Sequence, residues 1–372
     1  MSDNHLHIIS FDIPYPANYG GVIDVFFKAK ALADCGVKVH MHCFQYGREH
    51  YQIMQDTFHE VHYYKRDISK KHLFKSIPYI VSTRISEKLV SNLLKDNYPI
   101  LMEGLHTSAL LEESRLDDRK RFVRAHNIEH EYYYNLGKAE KDIFKKYYFY
   151  NEAAKLKRYE KILEKADKVL AISENDRLHF TKEFKNVIHV PAFHPFNDVK
   201  SKLGRGEYVL YHGNLSVAEN VNAVNFLLDD VFSDMGIPLK IAGLNPTKQL
   251  KSRLVNGNGI ELIANPDDET LQGLIENAHI SVSITAQKTG LKLKLLNNLF
   301  NGRFVLVNEK MLSGSNLDDL CEVANNYETI KRRIRILFKK EFTADIIEER
   351  KVSLNKVYSN KSNVKLIVDL LK

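Results

Sequence analysis

The sequence predicts an α/β protein of two doubly wound, Rossmann-like domains facing an interdomain cleft, with a helical C-terminus. Three observations predict it. Short apolar runs alternate with longer helical patterns along most of the 372 residues, as parallel sheets with crossover helices require. The alternation breaks at residues 187–202, where Pro191 and Pro195 restrict the backbone, and then restarts. The length allows two domains, each able to bury a core of its own.

The elements follow in order. Residues 7–11 read as a buried strand, 12–21 as a Pro/Gly loop, 22–33 as a helix and 37–44 as the next strand. Residues 100–102, 121–124 and 168–172 are further strands, with helical patterns at 84–94 and 142–165. After the break, 208–212 is a strand, 213–219 a loop and 222–229 a helix. Strands follow at 239–242, 260–263, 280–284 and 304–307, and past Asn316 the pattern is helical to the end. The first domain is therefore expected over 1–190 and the second over 191–350.

Composition narrows the function. With 44% hydrophobic and 27% charged residues the chain reads as an ordinary soluble protein. No apolar run reaches the roughly 18 residues of a membrane span. The polar start, Met1 to His7, lacks the pattern of a signal peptide. Cys35, Cys43 and Cys321 are odd in number and irregularly spaced, so no disulfide framework is expected, and a reducing, cytoplasmic compartment fits. A net charge of +7 suits an anionic ligand, an anionic membrane face or nucleic acid without choosing among them.

Open α/β sheets bind ligands beyond the carboxyl ends of their strands, so the loops there are the candidates. Gly20 and Gly21 open a helix after the first strand. Glycine permits close backbone approach, and the helix N-terminus favours an anion; a plain turn is the competing reading. His126 lies just past a strand end in Arg124-Ala-His-Asn-Ile-Glu129, where an imidazole can meet a phosphate or hydroxyl. Gly213 and Asn214 open the corresponding loop of the second half. Residues 288–297 carry Thr289, Gly290, Lys292, Lys294 and Asn297 at the start of a helix. Lysine opposes the dipole of a first helical turn, and an anionic ligand would repair that conflict; a solvated basic turn is the alternative. Glu103 and His106 follow another strand and are cleft-lining candidates. His40 and His42 alternate on a strand and share a face, but the two further ligands a zinc site needs cannot be placed from sequence. There is no G-x-G-x-x-G, no P-loop and no Gly-x-Ser-x-Gly elbow.

At these residues the chain resembles the family 4 retaining glycosyltransferases of the GT-B fold. Pro14-Tyr-Pro-Ala-Asn-Tyr-Gly-Gly21 is similar to the family's first glycine loop. Arg124-Ala-His-Asn-Ile-Glu-His130 resembles the R-x-H-N-x-E segment of a bacterial branch. Ala166 to Ser173 with Asp176, and Val209 to Leu215 with Glu219 and Asn220, resemble further segments. Thr289-Gly-Leu-Lys-Leu-Lys-Leu-Leu-Asn297 with Gly302 resembles the donor-binding G-I-K-x-K-x-x-E-A…G.

The resemblance implies transfer of a sugar, hexosyltransferase-like, from a nucleoside-diphosphate sugar to a glycan or lipid-linked hydroxyl in bacterial polysaccharide synthesis. It implies retention, no cofactor, no metal and no nucleic-acid partner. It assigns the first domain to the acceptor and the second to the donor nucleotide, with 351–372 a helix packing back on the first. Gly20 and Gly21 would approach the diphosphate and acceptor, and Tyr19, Glu103 and His106 the acceptor. His126 would contact donor sugar or phosphate and carry catalysis. Gly213 and Asn214 would border the donor, Lys292 or Lys294 would neutralise the diphosphate, and Thr289 and Gly290 would border the sugar. Asn297 stands where the family has a ribose-binding glutamate, and Asn214 where it has an arginine. These departures leave open a catalytically impaired scaffold subunit; a sugar-nucleotide epimerase is a third reading.

Residues 138–168 hold ten basic and six acidic residues around Tyr147, Tyr148, Phe149 and Tyr150, and 331–340 hold six basic residues. Solvated helix faces with the aromatics packed inside are one reading. Attachment to an anionic inner membrane face is the other.

Overall fold

The computed structural model describes residues 4–254, 259–286, 288, 290 and 293–372. The chain forms two compact units. The first comprises Met1–Pro195, Thr289–Leu291 and Tyr358–Lys372; the second comprises Phe196–Lys288 and Lys292–Val357.

The first unit holds seven parallel strands: β1 (His5–Ser10), β2 (Lys38–Gln45), β3 (Glu60–Lys65), β4 (Ile100–Glu103), β5 (Arg121–Ala125), β6 (Lys168–Ala171) and β7 (Val187–His189), in the order 3-2-1-4-5-6-7. Side chains alternate between the two sheet faces. Leu6, Ile8, Val39, Met41, Leu101, Phe122 and Leu170 pack on one side against Val22, Val25, Ala29 and Leu32 of helix Gly20–Asp34. Ile9, Met102, Val123 and Val169 pack on the other with Leu156 and Leu163.

The second unit repeats the plan with six strands: β8 (Val209–His212), β9 (Leu239–Gly243), β10 (Ile260–Ala264), β11 (Ile280–Ser283), β12 (Phe304–Val307) and β13 (Glu322–Val323). Their order is 10-9-8-11-12-13. In both sheets the order reverses beside the first strand, between β1 and β4 and between β8 and β11. That is where doubly wound sheets take ligands.

Three strands were not expected from sequence. β3 is an edge strand whose Glu60, His62 and Lys65 weaken its apolar pattern. β7 lies within the stretch read as a break. β13 has only two residues and corrects the expectation of helix throughout the region past Asn316.

The units divide at Pro195 rather than 190, and the returning segment begins at Tyr358 rather than 351. Arg350 explains the latter. It is buried and donates to Ser201 Oγ at 3.0 Å, Gly302 O at 2.7 Å and Arg303 O at 2.7 Å, which holds helix Ala344–Tyr358 within the second unit. The return itself is pinned at His194. Its ring nitrogen bonds Tyr358 O at 2.7 Å and its carbonyl accepts from Asn360 Nδ2 at 2.7 Å. Helix Asn360–Leu371 then lies on helix Gly20–Asp34, burying Val364 and Ile367 in the first unit's core.

Ile367→Ala should lower stability by about 2–5 kcal/mol, because Ile367 is fully buried and the helix end cannot collapse to fill the space. Urea unfolding of parent and variant measures the difference.

Candidate functional site

The carboxyl ends of β1, β4 and β5 gather their loops around Phe11. A Cβ on Gly21 would lie 2.8 Å from Phe11 Cζ, so only glycine lets the helix start this close. The rings of His106 and His126 lie 5.0 and 5.5 Å from the Phe11 ring. Gly104 has φ +67°, and a Cβ there would meet His106 Nδ1 at 2.7 Å. Buried Arg84 fixes the loop by donating to Phe11 O at 2.8 Å and Ile80 O at 2.7 Å. Tyr19, 43% exposed, donates to Asp12 at 3.1 Å with Arg48 over its ring. Gly20 is exposed at the start of a 15-residue helix with no side-chain cap and no acidic residue in its first turn. No side chain competes with an anion for its N-terminal amides.

Beneath this floor runs a buried ion network. Arg124 forks onto Asp24 at 2.9 and 2.8 Å. Lys28, one turn along from Asp24, reaches it at 3.0 Å and spans both Glu103 oxygens at 2.8 and 2.9 Å. Glu103 then meets His126 Nε2 at 2.8 Å. Burial pushes the Glu103 carboxyl up, but Lys28 and the His126 bond outweigh it and hold it below its ordinary value. An ionised carboxylate only accepts. His126 Nε2 therefore carries a hydrogen, and Nδ1 is the nitrogen available for other work. Glu103 was expected to line the acceptor side. It is fully buried instead and positions His126.

His106 is half-buried. Its Nδ1 has no hydrogen-bond partner among the described residues, and burial pushes the ring well below its usual range, with Arg84 and His126 adding to the shift.

Gly290 belongs to the first unit by its contacts. Its φ is +65°, and a Cβ there would collide with Asn127 Oδ1 at 2.1 Å. Its N–H points to Asp176 Oδ1 at 3.4 Å. Asp176 sits in the first turn of helix Glu174–Phe180, whose N-cap is Ser173. Nearby Glu129 is enclosed. Burial pushes its carboxyl up to about 8, with Asp176 and Glu160 adding to the effect.

In the second unit, Gly213 bonds back to Ala242 O at 3.1 Å, and a Cβ on it would touch the Asn220 amide at 3.2 Å. Asn214 is exposed and closes a turn, its Oδ1 accepting from Ser216 N at 3.0 Å and Ser216 Oγ at 2.7 Å. Glu219 accepts from Thr285 Oγ1 and from Ala286 N at 2.8 Å, fixing the loop after β11. Lys294 lies in the first turn of helix Leu293–Asn301, half-buried, 5.4 Å from the Tyr211 ring centre. Burial brings His212 down to about 4, with Lys294 contributing. Neutral His212 bonds Asn298 Oδ1 at 2.9 Å. Asn297 is half-buried, and its Oδ1 accepts from Asn301 Nδ2 at 2.8 Å. Thr289 and Lys292 lie outside the described residues.

Asp24, Lys28 and Arg84 were missed from sequence. The one available signal was an Asp/Lys pair four apart within an apolar helix pattern.

No family model matches the sequence. The chain is 30% identical over 321 residues to an uncharacterised 44.6 kDa protein of the cps region of Klebsiella pneumoniae, covering 80% of this chain and 81% of that one. It belongs to that protein's family. Among solved structures, this member of the cps-region family is similar to TarM, with a TM-score of 0.70 at 11% identity over 99% of both chains. It is also similar to the trehalose-6-phosphate synthase OtsA (0.66, 12%, 99% of both) and to a glycosyltransferase of Rickettsia africae (0.65, 13%, 100% and 98%). The fold of the cps-region family member is GT-B.

Lys28→Met should cost about 3–5 kcal/mol, because it leaves two buried carboxylates facing one guanidinium. Denaturant titration at neutral pH checks it; a loss under 1 kcal/mol would mean the network is not closed in solution.

Proposed function

We propose that the chain is a retaining glycosyltransferase of bacterial surface-polysaccharide synthesis, moving a sugar from a nucleoside-diphosphate sugar to a hydroxyl acceptor. The observation that carries this is His126, held by a buried, charge-balanced network at the strand ends where a GT-B fold takes its ligands. The relative from a capsule (cps) region supports the setting. So do neighbours described with donor chemistry: S. aureus TarM in complex with UDP and alpha-GlcNAc-glycerol, and an E. coli protein bound with UDP-2-fluoro glucose.

In this reading the anomeric carbon–phosphate oxygen bond breaks and a bond to the acceptor oxygen forms on the same face. The acceptor proton passes to the leaving diphosphate. Helix N-termini and Lys294 or Lys292 meet the growing charge in place of a metal. His126 Nδ1 takes a hydroxyl or phosphate contact. Gly20 and Gly21 give the backbone access, and Gly290 borders the sugar. Asn297 is a neutral substitute for a ribose-binding carboxylate, so ribose is held by weaker bonds.

Turnover should appear with a UDP- or GDP-sugar that also raises the melting temperature. His126→Ala should then cut turnover at least tenfold while changing donor affinity little. Turnover within a factor of about 2 of the parent removes His126 from the reaction. Donor binding without transfer to any hydroxyl acceptor would favour the scaffold reading.

We further propose that transfer occurs at the inner face of the membrane, on a lipid-linked acceptor. Among the described residues no helix is long and apolar enough to cross a membrane. However, Ile143, Phe144 and Tyr147 at the start of helix Ile143–Tyr159 are 79%, 87% and 74% exposed. Phe74, 89% exposed, lies in the Lys70–Phe74 turn, which Lys155 ties to the same helix through Leu73 O at 2.9 Å. Of the aromatics expected to pack inside, Tyr148, Phe149 and Tyr150 are half-buried and Tyr147 is not. Exposed Lys71, Lys75, Lys141 and Lys145 flank these apolar tips, the combination an anionic interface attracts. A cavity of about 540 Å³ beside it, lined by Tyr134, Tyr150, Ala153 and Lys157, offers room for an acyl or prenyl chain. The protein should co-sediment with phosphatidylglycerol vesicles at low salt and less so at high salt. Phe144→Glu should weaken the binding. No sedimentation at low salt would leave a soluble acceptor.

A further inference from the structure

The three parallel strands β1, β2 and β3 carry, on one face, an accumulation of imidazoles that the transfer reaction does not use. The register places His7 beside His40, Ile9 beside His42, His40 beside Glu60 and His42 beside His62. His5, His7, His40, His42 and His62 therefore share a face, while Leu6, Ile8, Val39 and Met41 fill the opposite one. At the amino end of this face, His5 Nδ1 and His40 Nε2 lie 2.8 Å apart. His59, in the turn before β3, closes on both, its ring 5.7 Å from His5 and 5.0 Å from His40.

We propose that His5, His40 and His59 bind a zinc ion. One ring nitrogen from each lies within 4.8 Å of the others. Tetrahedral zinc with bonds of about 2.0–2.1 Å needs its ligands about 3.3 Å apart, so shifts of about an ångström close the site. Three imidazoles form a donor set suited to zinc. His40 also has the outer contact that such ligands use: Glu60 Oε2 lies 3.2 Å from its Nδ1, which turns Nε2 toward the cluster. His5 is backed by Tyr98, stacked at 4.0 Å. His59 is exposed, so the ion has a way in and water has the fourth position.

Two other groupings could be considered, and neither needs an ion. Asp24, Glu103 and His126 already hold Lys28 and Arg124. In the third, Glu160 gives one oxygen to His130 and the other to His179, each at 3.1 Å, so a carboxylate already serves both rings. At His5, His40 and His59 three imidazoles gather instead, and the carboxylate nearby, Glu60, bonds only the outer nitrogen of His40.

The cluster sits at the amino ends of the strands. β1 runs from His5 to Ser10, about 17 Å at roughly 3.3 Å per residue, so the ion would be remote from the loops around Phe11. Its role is to fasten β1, β2 and the turn before β3 to one another at the amino ends of the strands.

Calorimetric titration of chelator-stripped full-length protein with zinc chloride tests this. One ion per chain is expected, with a rise in melting temperature. His59→Ala, at an exposed position, should abolish both while leaving the unfolding curve of the metal-free protein unchanged. Glu60→Gln should weaken binding by about 10–100-fold, and His50→Ala, an exposed control stacked on Tyr63, should change nothing. The proposal is overturned if the parent takes up no zinc, if His59→Ala binds as the parent does, or if binding is lost with His179→Ala instead.

Discussion

The Asp24 carboxylate holds the functional end of the first unit together. It is fully enclosed and accepts two bonds from the Arg124 guanidinium, one from the Lys28 ammonium and one from the Phe193 amide at 2.9 Å. Arg124 also donates to the carbonyls of Val190 and Pro191. Helix Gly20–Asp34, β5 and the chain leaving β7 are therefore tied at one point. Two cations balance two carboxylates, which is the condition under which buried charge is tolerable. The fourth member, Glu103, bonds His126 through Oε2. The orientation and tautomer of that imidazole are thus consequences of a charge balance assembled from β4, β5 and helix Gly20–Asp34.

The two units share a topology but solve the same local problem differently. At the end of β5, a histidine is oriented by a carboxylate within an ion network. At the end of β8, His212 is oriented by an amide, Asn298, which in turn donates to Ser283 Oγ at 3.0 Å. The first arrangement keeps a hydrogen on a defined nitrogen and leaves the other nitrogen for a ligand. The second keeps the ring neutral beside Lys294, so the positive charge of the helix start is not doubled. An anion arriving at the start of helix Leu293–Asn301 meets Lys294 and the positive end of the helix dipole.

Much of this was legible in the sequence. Gly21 and His126 stood out because both lie just beyond strand runs, and both lie against Phe11. Strands such as β4, β6 and β12 were readable because both faces are apolar, which gives nearly continuous runs of Val, Ile, Leu and Phe. β3 was not, because an edge strand with a histidine-bearing face alternates polar and apolar like a loop. Lys28 and Asp24 were invisible as site residues: four apart on a helix, they look like an exposed pair, and only the fold shows them enclosed by Glu103 and Arg124. Asn214 looked like a lost cation from sequence; in the structure it closes its own turn. His40 was noticed without partners because His5 and His59 come from different strands and loops.

Helix Asn360–Leu371 belongs to the first unit but follows the second in the chain. A chain emerges from the ribosome N-terminus first, so the apolar side of helix Gly20–Asp34 that Val364 and Ile367 cover stays bare until the second unit has been made. The first unit reaches its finished core only after the second has been made. Translation stopped before residue 360 would leave that hydrophobic face uncovered, the kind of surface chaperones and proteases recognise.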